Sequence, residues 1–327
     1  MFRLNAFALP ALVAALGSTP AIPTIPTFFP SGPPTTGIVV SAEGTVYFVD
    51  SYHSVVWRVV PGRGREPFIT GKNGRSLQID AGGNLYGTHT DSRGNLILWR
   101  ADSHGTVTEI ARPEVPDQFG HAFVIDDGEM IGFAGSGKRT GVRLWRAGEH
   151  DHQLLAGGEL GLRDGTADEA RFLPIGGLTR TADGELLVTS GATIRRVSAA
   201  GQVSTVVQGE KLLRPRSSLL ARLLGASQGH LTGIAVADNG DIYVANAARD
   251  AVIRIDTQFR ATEIWRSING WTPTGVVAAH GFVYVLEYGN GVRVTRIGAD
   301  GVPVLFAHVP VNRAVASMQG SRALFAS

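Results

Sequence analysis

Gly233-Ile-Ala-Val-Ala-Asp-Asn-Gly-Asp-Ile-Tyr-Val-Ala-Asn246, continued by Val252-Ile-Arg-Ile255 and Ala261-Thr-Glu-Ile264, sets the pattern of the whole chain. It reads as four short strands, rich in β-branched and aromatic residues and broken by turn residues. The phrase is written six times. Its turn glycines are Gly44, Gly83, Gly128, Gly184, Gly240 and Gly281, and its third-strand arginines are Arg58, Arg100, Arg146, Arg196, Arg254 and Arg296. Six copies of a unit of roughly 40 residues specify a closed ring of blades rather than a sandwich or a two-domain enzyme. The expected fold is therefore all-β: a six-bladed β-propeller of four-stranded blades.

Composition agrees. Of 327 residues, 43% are hydrophobic, enough for a buried core, and 42 are glycine, which suits a chain of tight turns. Net charge is +2 and the basic residues are scattered singly, so no nucleic-acid partner is expected. There is no cysteine, which excludes disulfides, thiol catalysis and thiolate metal sites.

The ends read differently. Met1-Phe2-Arg3 is a basic start, and Leu4 to Leu16 is mostly apolar, followed by small residues around Thr19-Pro20-Ala21. Residues 1–21 read as a signal peptide, giving a secreted or periplasmic location, and the apolar run is too short for a transmembrane anchor. Residues 22–36 read as a Pro/Thr-rich linker, 37–309 as the propeller and 310–327 as a C-terminal tail.

The turn glycines are spaced 39, 45, 56, 56 and 41 residues apart. The two long gaps place insertions at about Gly157 to Pro174 and Gln208 to His230, each between the fourth strand of one unit and the first of the next. In a propeller these connections share a face with the second-to-third strand connections, so the insertions point to an axial binding face. Ser217 to Gly225 carries caps and a leucine stripe, which predicts a short helix between blades 4 and 5.

Ala156-Gly-Gly, Arg163-Asp-Gly-Thr-Ala, Ala170-Arg-Phe-Leu-Pro174, Asp183-Gly-Glu-Leu-Leu-Val188, Ile194-Arg-Arg-Val197 and Gly201-Gln-Val-Ser-Thr-Val206 together resemble one NHL repeat. Unit five is a second match, and unit one, through Tyr47-Phe-Val-Asp50, a third. The resemblance spans roughly residues 37 to 307. It implies six-bladed relatives that include interaction domains, lactonases of the regucalcin and gluconolactonase type, strictosidine-synthase-like proteins and the peptide-amidating lyase. The fold does not choose among them.

Aligned on the turn glycines, the residues entering the first strands are Thr36, Arg75, Gly120, Gly176, Thr232 and Thr274. Those closing the second strands are Asp50, His89, Ala134, Ser190, Asn246 and Glu287. Both sets belong to the axial face. Thr36, Arg75, His89, His230, Thr232, Asn246 and Thr274 are the candidate ligand-binding residues. The expected function is binding of a small molecule or protein partner there, by a monomer. The alternative is a propeller enzyme, a lactonase-like hydrolase or a lyase, with Asp50, His121 and Glu287 as the candidate catalytic groups. A structural module is a third reading. Glu287 has a plainer role open to it, an ion pair with Arg293.

No cofactor is required. A Ca or Zn site is conceivable, but regucalcin-like proteins carry Asn or Asp where this chain has Thr232 and Thr274, and the histidines form no short-spaced ligand pair. Trp57, Trp99 and Trp145 are expected to pack between blades, and the six arginines to anchor blade to blade.

Overall fold

The computed structural model describes residues 36–72, 74–90, 96–111, 119–126, 129–134, 142–147, 152–212 and 231–311. Blade 1 is β1 (Ile38–Val40), β2 (Val46–Asp50), β3 (Val55–Val60) and β4 (Gly64–Thr70). Blade 2 is β5 (Leu77–Ile79), β6 (Leu85–Thr90), β7 (Leu96–Ala101) and β8 (Val107–Ala111). Blade 3 is β9 (Phe119–Asp126), β10 (Glu129–Ala134), β11 (Val142–Ala147) and β12 (His152–Gly158). Blade 4 is β13 (Ile175–Arg180), β14 (Leu186–Ser190), β15 (Thr193–Val197) and β16 (Val203–Val207). Blade 5 is β17 (Leu231–Val236), β18 (Ile242–Asn246), β19 (Ala251–Ile255) and β20 (Ala261–Arg266). Blade 6 is β21 (Thr272–Ala279), β22 (Phe282–Gly289), β23 (Gly291–Ile297) and β24 (Pro303–Pro310). Each blade is an antiparallel sheet whose strands follow one another in chain order. The six-bladed propeller is as expected. The predicted helix at 217–225, the signal peptide, most of the linker and the tail beyond residue 311 lie outside the described residues. The part of the second insertion that is described holds one helical turn, α1 (Gly209–Leu212), which buries Leu212.

The repeated glycine has a physical cause. Ser41 donates its backbone N–H to Thr45 O, Gly44 donates to Ser41 O, and Gly44 takes a φ of +81°. Gly83, Gly184 and Gly240 close their hairpins in the same way. This is a three-residue hairpin with its last residue in the left-handed region, where a side chain would be strained. A second glycine need lies at the axis. A Cβ on Gly233 would meet Gly275 Cα at 2.7 Å, and one on Gly275 would meet Thr36 O at 2.6 Å. The inner strands of blades 5, 6 and 1 therefore touch backbone to backbone.

The core lies between blades. Trp99 is fully buried among Val49, Val56, Leu77 and Leu85 at the join of blades 1 and 2, and Trp57 packs against the cluster joining blades 6 and 1. The arginines are a correction. Arg58 pairs with Glu66, Arg196 with Glu185 and Arg254 with Asp241, each within its own blade and each partly exposed. Arg296 stacks on Phe282 and Phe306 of its own blade. The reason is alternation: Arg58 lies opposite Tyr47 and beside Glu66, so cross-strand neighbours on the same face reach it before another blade can.

Because blade 6 is built from β21 to β24, no described strand crosses from the start of the ring to its end. The ring closes through side chains instead. Tyr52 donates its hydroxyl to Gly289 O (3.1 Å), Tyr288 to Val49 O (2.6 Å), and Arg65 donates to His308 O. The His280 ring nitrogen Nε2 lies 2.9 Å from Ser41 O. Beneath them Ile38, Val46 and Phe48 of blade 1 pack with Tyr284, Leu286 and Val294 of blade 6.

Candidate functional site

At or close to their ends the second strands carry some of the most enclosed polar groups among the described residues. Asp50, Ser190, Asn246 and Glu287 are all fully buried. Their surroundings differ.

Asp50 closes β2. Its Oδ1 accepts the backbone N–H groups of Tyr52 (3.0 Å) and His53 (3.2 Å), which shape the turn into β3. Its Oδ2 accepts the Trp57 indole N–H at 3.1 Å and lies 2.7 Å from His53 Nδ1. A buried carboxylate, fixed by three N–H donors, thus holds the near nitrogen of a ring whose side chain is 23% exposed. Nε2 is left on the far side, bonded to none of the described residues. The carboxylate selects the tautomer with hydrogen on Nδ1, which makes Nε2 the basic atom. His53 was not picked out from sequence. Its signal was local, an Asp followed three residues later by His across a tight turn.

Glu287 lies two residues before the end of β22. Oε1 accepts Trp265 Nε1 (3.2 Å), Ser267 Oγ (2.5 Å) and Arg293 Nη2 (2.8 Å); Oε2 accepts Arg293 Nε (2.8 Å) and Thr295 Oγ1 (2.6 Å). Five donors from blades 5 and 6 converge on one carboxylate. It is committed to joining those blades, which leaves no lone pair for proton transfer, so the plainer reading of Glu287 fits the geometry.

The threonines are similarly occupied. Thr232 Oγ1 donates to Ala245 O (3.2 Å) and Thr274 Oγ1 to Leu286 O (3.4 Å), bridging the register shifts at the start of β17 and β21. In blade 4 the corresponding position is Gly176, and the hydroxyl comes from the facing strand: Thr189 Oγ1 accepts Gly177 N–H at 2.8 Å. Ser190 Oγ accepts Leu173 N–H and donates to Leu173 O. Asn246 is the exception, with neither amide atom hydrogen-bonded to a described residue.

His89 lies 3.7 Å from the Glu109 carboxylate. Arg75 is half-buried at the inner rim, where its carbonyl accepts N–H from Thr36 and Gly37. Burial holds its guanidinium below the ordinary arginine range, and Tyr288 nearby opposes that shift. Tyr288 in turn packs on Tyr52, ring centroids 5.7 Å apart. The structure therefore groups Asp50, His53, Tyr52, Tyr288 and Arg75 around blades 6, 1 and 2. The side chain of His121, on β9, and the whole of His230 lie outside the described residues.

The first insertion does not cap this face. Gly165 pairs with Val203 on the outermost strand of blade 4, and Ala170 and Phe172 are buried between blades 3 and 4. Arg195, fully buried on β15, holds the segment by donating to Arg171 O (3.0 Å), Arg163 O (2.8 Å) and Asp164 Oδ1 (2.7 Å). It is a strap in the groove between blades. The expectation of an axial loop failed because its apolar residues, Ala170 and Phe172, find their burial in that groove.

Comparison with solved structures fits this architecture. The virginiamycin B lyase of Staphylococcus aureus superposes with a TM-score of 0.51 at 15% identity, over 86% of this chain and 85% of that one. A gluconolactonase from Xanthomonas campestris gives 0.54 at 11% identity over 79% and 84%. The calcium-binding regucalcin of Agrobacterium tumefaciens gives 0.53 at 15% over 78% and 83%. The chain has the six-bladed fold these propellers share. At such identities the likeness is one of fold. No family model and no curated protein sequence matches the chain.

The regucalcin comparison raises the question of a cation. Among the described residues no three His, Asp or Glu side chains converge as ligands. Asp50 is already saturated by N–H donors and Glu287 is neutralised by Arg293, so the described donors do not fit a metal centre.

Proposed function

We propose that this chain is an exported small-molecule enzyme, a hydrolase or lyase, working at the axial face with His53 as its general base and Asp50 as the residue that positions it. The observation that carries the reading is the 2.7 Å contact between His53 Nδ1 and the fully buried Asp50 carboxylate. Such a pair sets the ring's orientation and stabilises the imidazolium that forms when Nε2 takes a proton. In hydrolysis Nε2 takes that proton from water as the oxygen adds to an ester carbonyl, and returns it to the departing oxygen. In elimination the proton comes from carbon and the carbon–oxygen bond breaks, again with return to the leaving oxygen. Two of the structural neighbours are named as a lyase and a gluconolactonase, which supports this choice of classes.

The test is turnover of a panel of lactones and cyclic esters by purified protein. His53→Ala is expected to lower kcat at least 100-fold, and Asp50→Asn to lower kcat with little change in KM. Full activity in His53→Ala would refute the assignment. Export rests on the basic start and apolar run of residues 1–16, and sequencing the mature N-terminus checks it. No helix among the described residues is long and apolar enough to cross a membrane.

A second reading, a binding module at the same face, is supported by Arg75, whose half-buried guanidinium at the inner rim suits an anionic group. Ligand binding lost in Arg75→Ala, with no turnover across the panel, would favour it.

A further inference from the structure

Two arginine–tryptophan stacks stand at the join of blades 6 and 1, and the mechanism above uses neither. The Arg65 guanidinium lies 4.5 Å above the Trp57 ring, and that of Arg293 lies 4.4 Å above the Trp271 ring. His308 links them. Its ring meets Trp271 edge-on at 5.6 Å, its carbonyl accepts from Arg65, and in the blade 6 sheet it lies directly opposite Arg293.

The charges around His308 are unbalanced. Arg65 reaches it from β4 and Arg293 from β23, and burial together with both guanidinium groups holds its pKa below the ordinary value. Arg293 already has a carboxylate partner in Glu287, which is fully buried and saturated. Arg65 is exposed and forms no ion pair with any described carboxylate. Among the described residues only one of its five N–H groups is used, on the His308 carbonyl. The guanidinium is nonetheless held in place, stacked on one indole and tied to a backbone oxygen, so little rotamer freedom remains to be lost on binding.

We propose that Arg65, His308 and Arg293 form a binding site for an oxyanion, a phosphate or sulfate group, with the Trp271 ring as its apolar wall. The remaining Arg65 N–H groups supply the planar fork that such anions accept, and an imidazolium at His308 adds a second charge-assisted donor. This site is separate from the His53 base. Trp57 lies between them, with its N–H on Asp50 and its face under Arg65.

The experiment is an NMR titration of the histidine rings of the full chain with inorganic phosphate and with sulfate, against chloride at matched ionic strength. Saturable binding is expected, with the His308 pKa raised by at least half a unit for either oxyanion and not for chloride. Arg65→Ala, an exposed position, is expected to weaken binding at least tenfold, whereas His53→Ala leaves it unchanged. Arg65→Lys keeps the charge but loses the fork, and is expected to fall between. No saturable effect, an equal effect of chloride, or full binding by Arg65→Ala would overturn the proposal. Each of these outcomes is independent of whether His53 catalyses anything.

Discussion

Asn246, at the end of β18, and Glu287, two residues before the end of β22, hold corresponding places in their blades, both fully buried, with opposite surroundings. Glu287 accepts five hydrogen bonds, so Glu287→Ala strands Arg293 and three other donors. It is expected to cost about 3–5 kcal/mol in urea unfolding, with Glu287→Gln costing less. Asn246 forms none with a described residue. A buried amide without partners costs about 1–3 kcal/mol, so Asn246→Leu, of similar volume, is expected to leave stability unchanged or raise it. A large loss in that variant would show that the amide is engaged. The repeat places Asn246 at its strand end as expected, whereas β22 runs two residues past Glu287. It did not separate the anchor from the amide, since two of the donors to Glu287 come from Trp265 on the last strand of blade 5 and from Ser267 just after it. His53 was missed for a different reason: it lies in a turn where the six units have no common residue.

The strap between β12 and β13 shows what one buried cation can organise. Arg195 and Arg196 are adjacent, and the repeat singles out Arg196, which is half exposed and pairs with Glu185. The side chain that orders the strap is Arg195, on the opposite face of β15. Its role was unreadable because it depends on where a long insertion folds back. Arg195→Met is expected to cost about 2–4 kcal/mol and to speed hydrogen exchange across residues 159–172, with the blades little affected. The clasp is also acid-sensitive. Burial pushes the Asp164 carboxyl up, but hydrogen bonds from Thr205 and the charge of Arg195 outweigh this and hold it below the ordinary aspartate range. A carboxyl lowered on folding adds stability above its unfolded pKa and loses it as pH falls through the folded one. Strap exchange is therefore expected to rise on acidification below about pH 4, and Asp164→Asn to abolish that dependence.

At the level of the ring, the fold was legible because a period repeated six times leaves few architectures, and each described turn glycine met the backbone demand that its spacing implied. How the ring shuts was not legible, since that rests on Tyr52, Tyr288, His280 and Arg65, four residues scattered along the chain. Tyr288→Phe is expected to cost about 1 kcal/mol in urea unfolding. His308 gives the same join a pH response. Its pKa is lowered on folding, so the unfolded chain binds the proton more readily, and stability falls as pH drops below the ordinary histidine value of 6.5. His308→Gln is expected to flatten that slope. A ring whose last blade borrows nothing from its first also has no topological beginning. Residues 267–271 carry the chain from blade 5 to blade 6, and a linker of about that length between residues 311 and 36 faces the same step. Circular permutants opened between any two blades are then expected to rebuild the same propeller, with the cut moved and the blade order merely rotated.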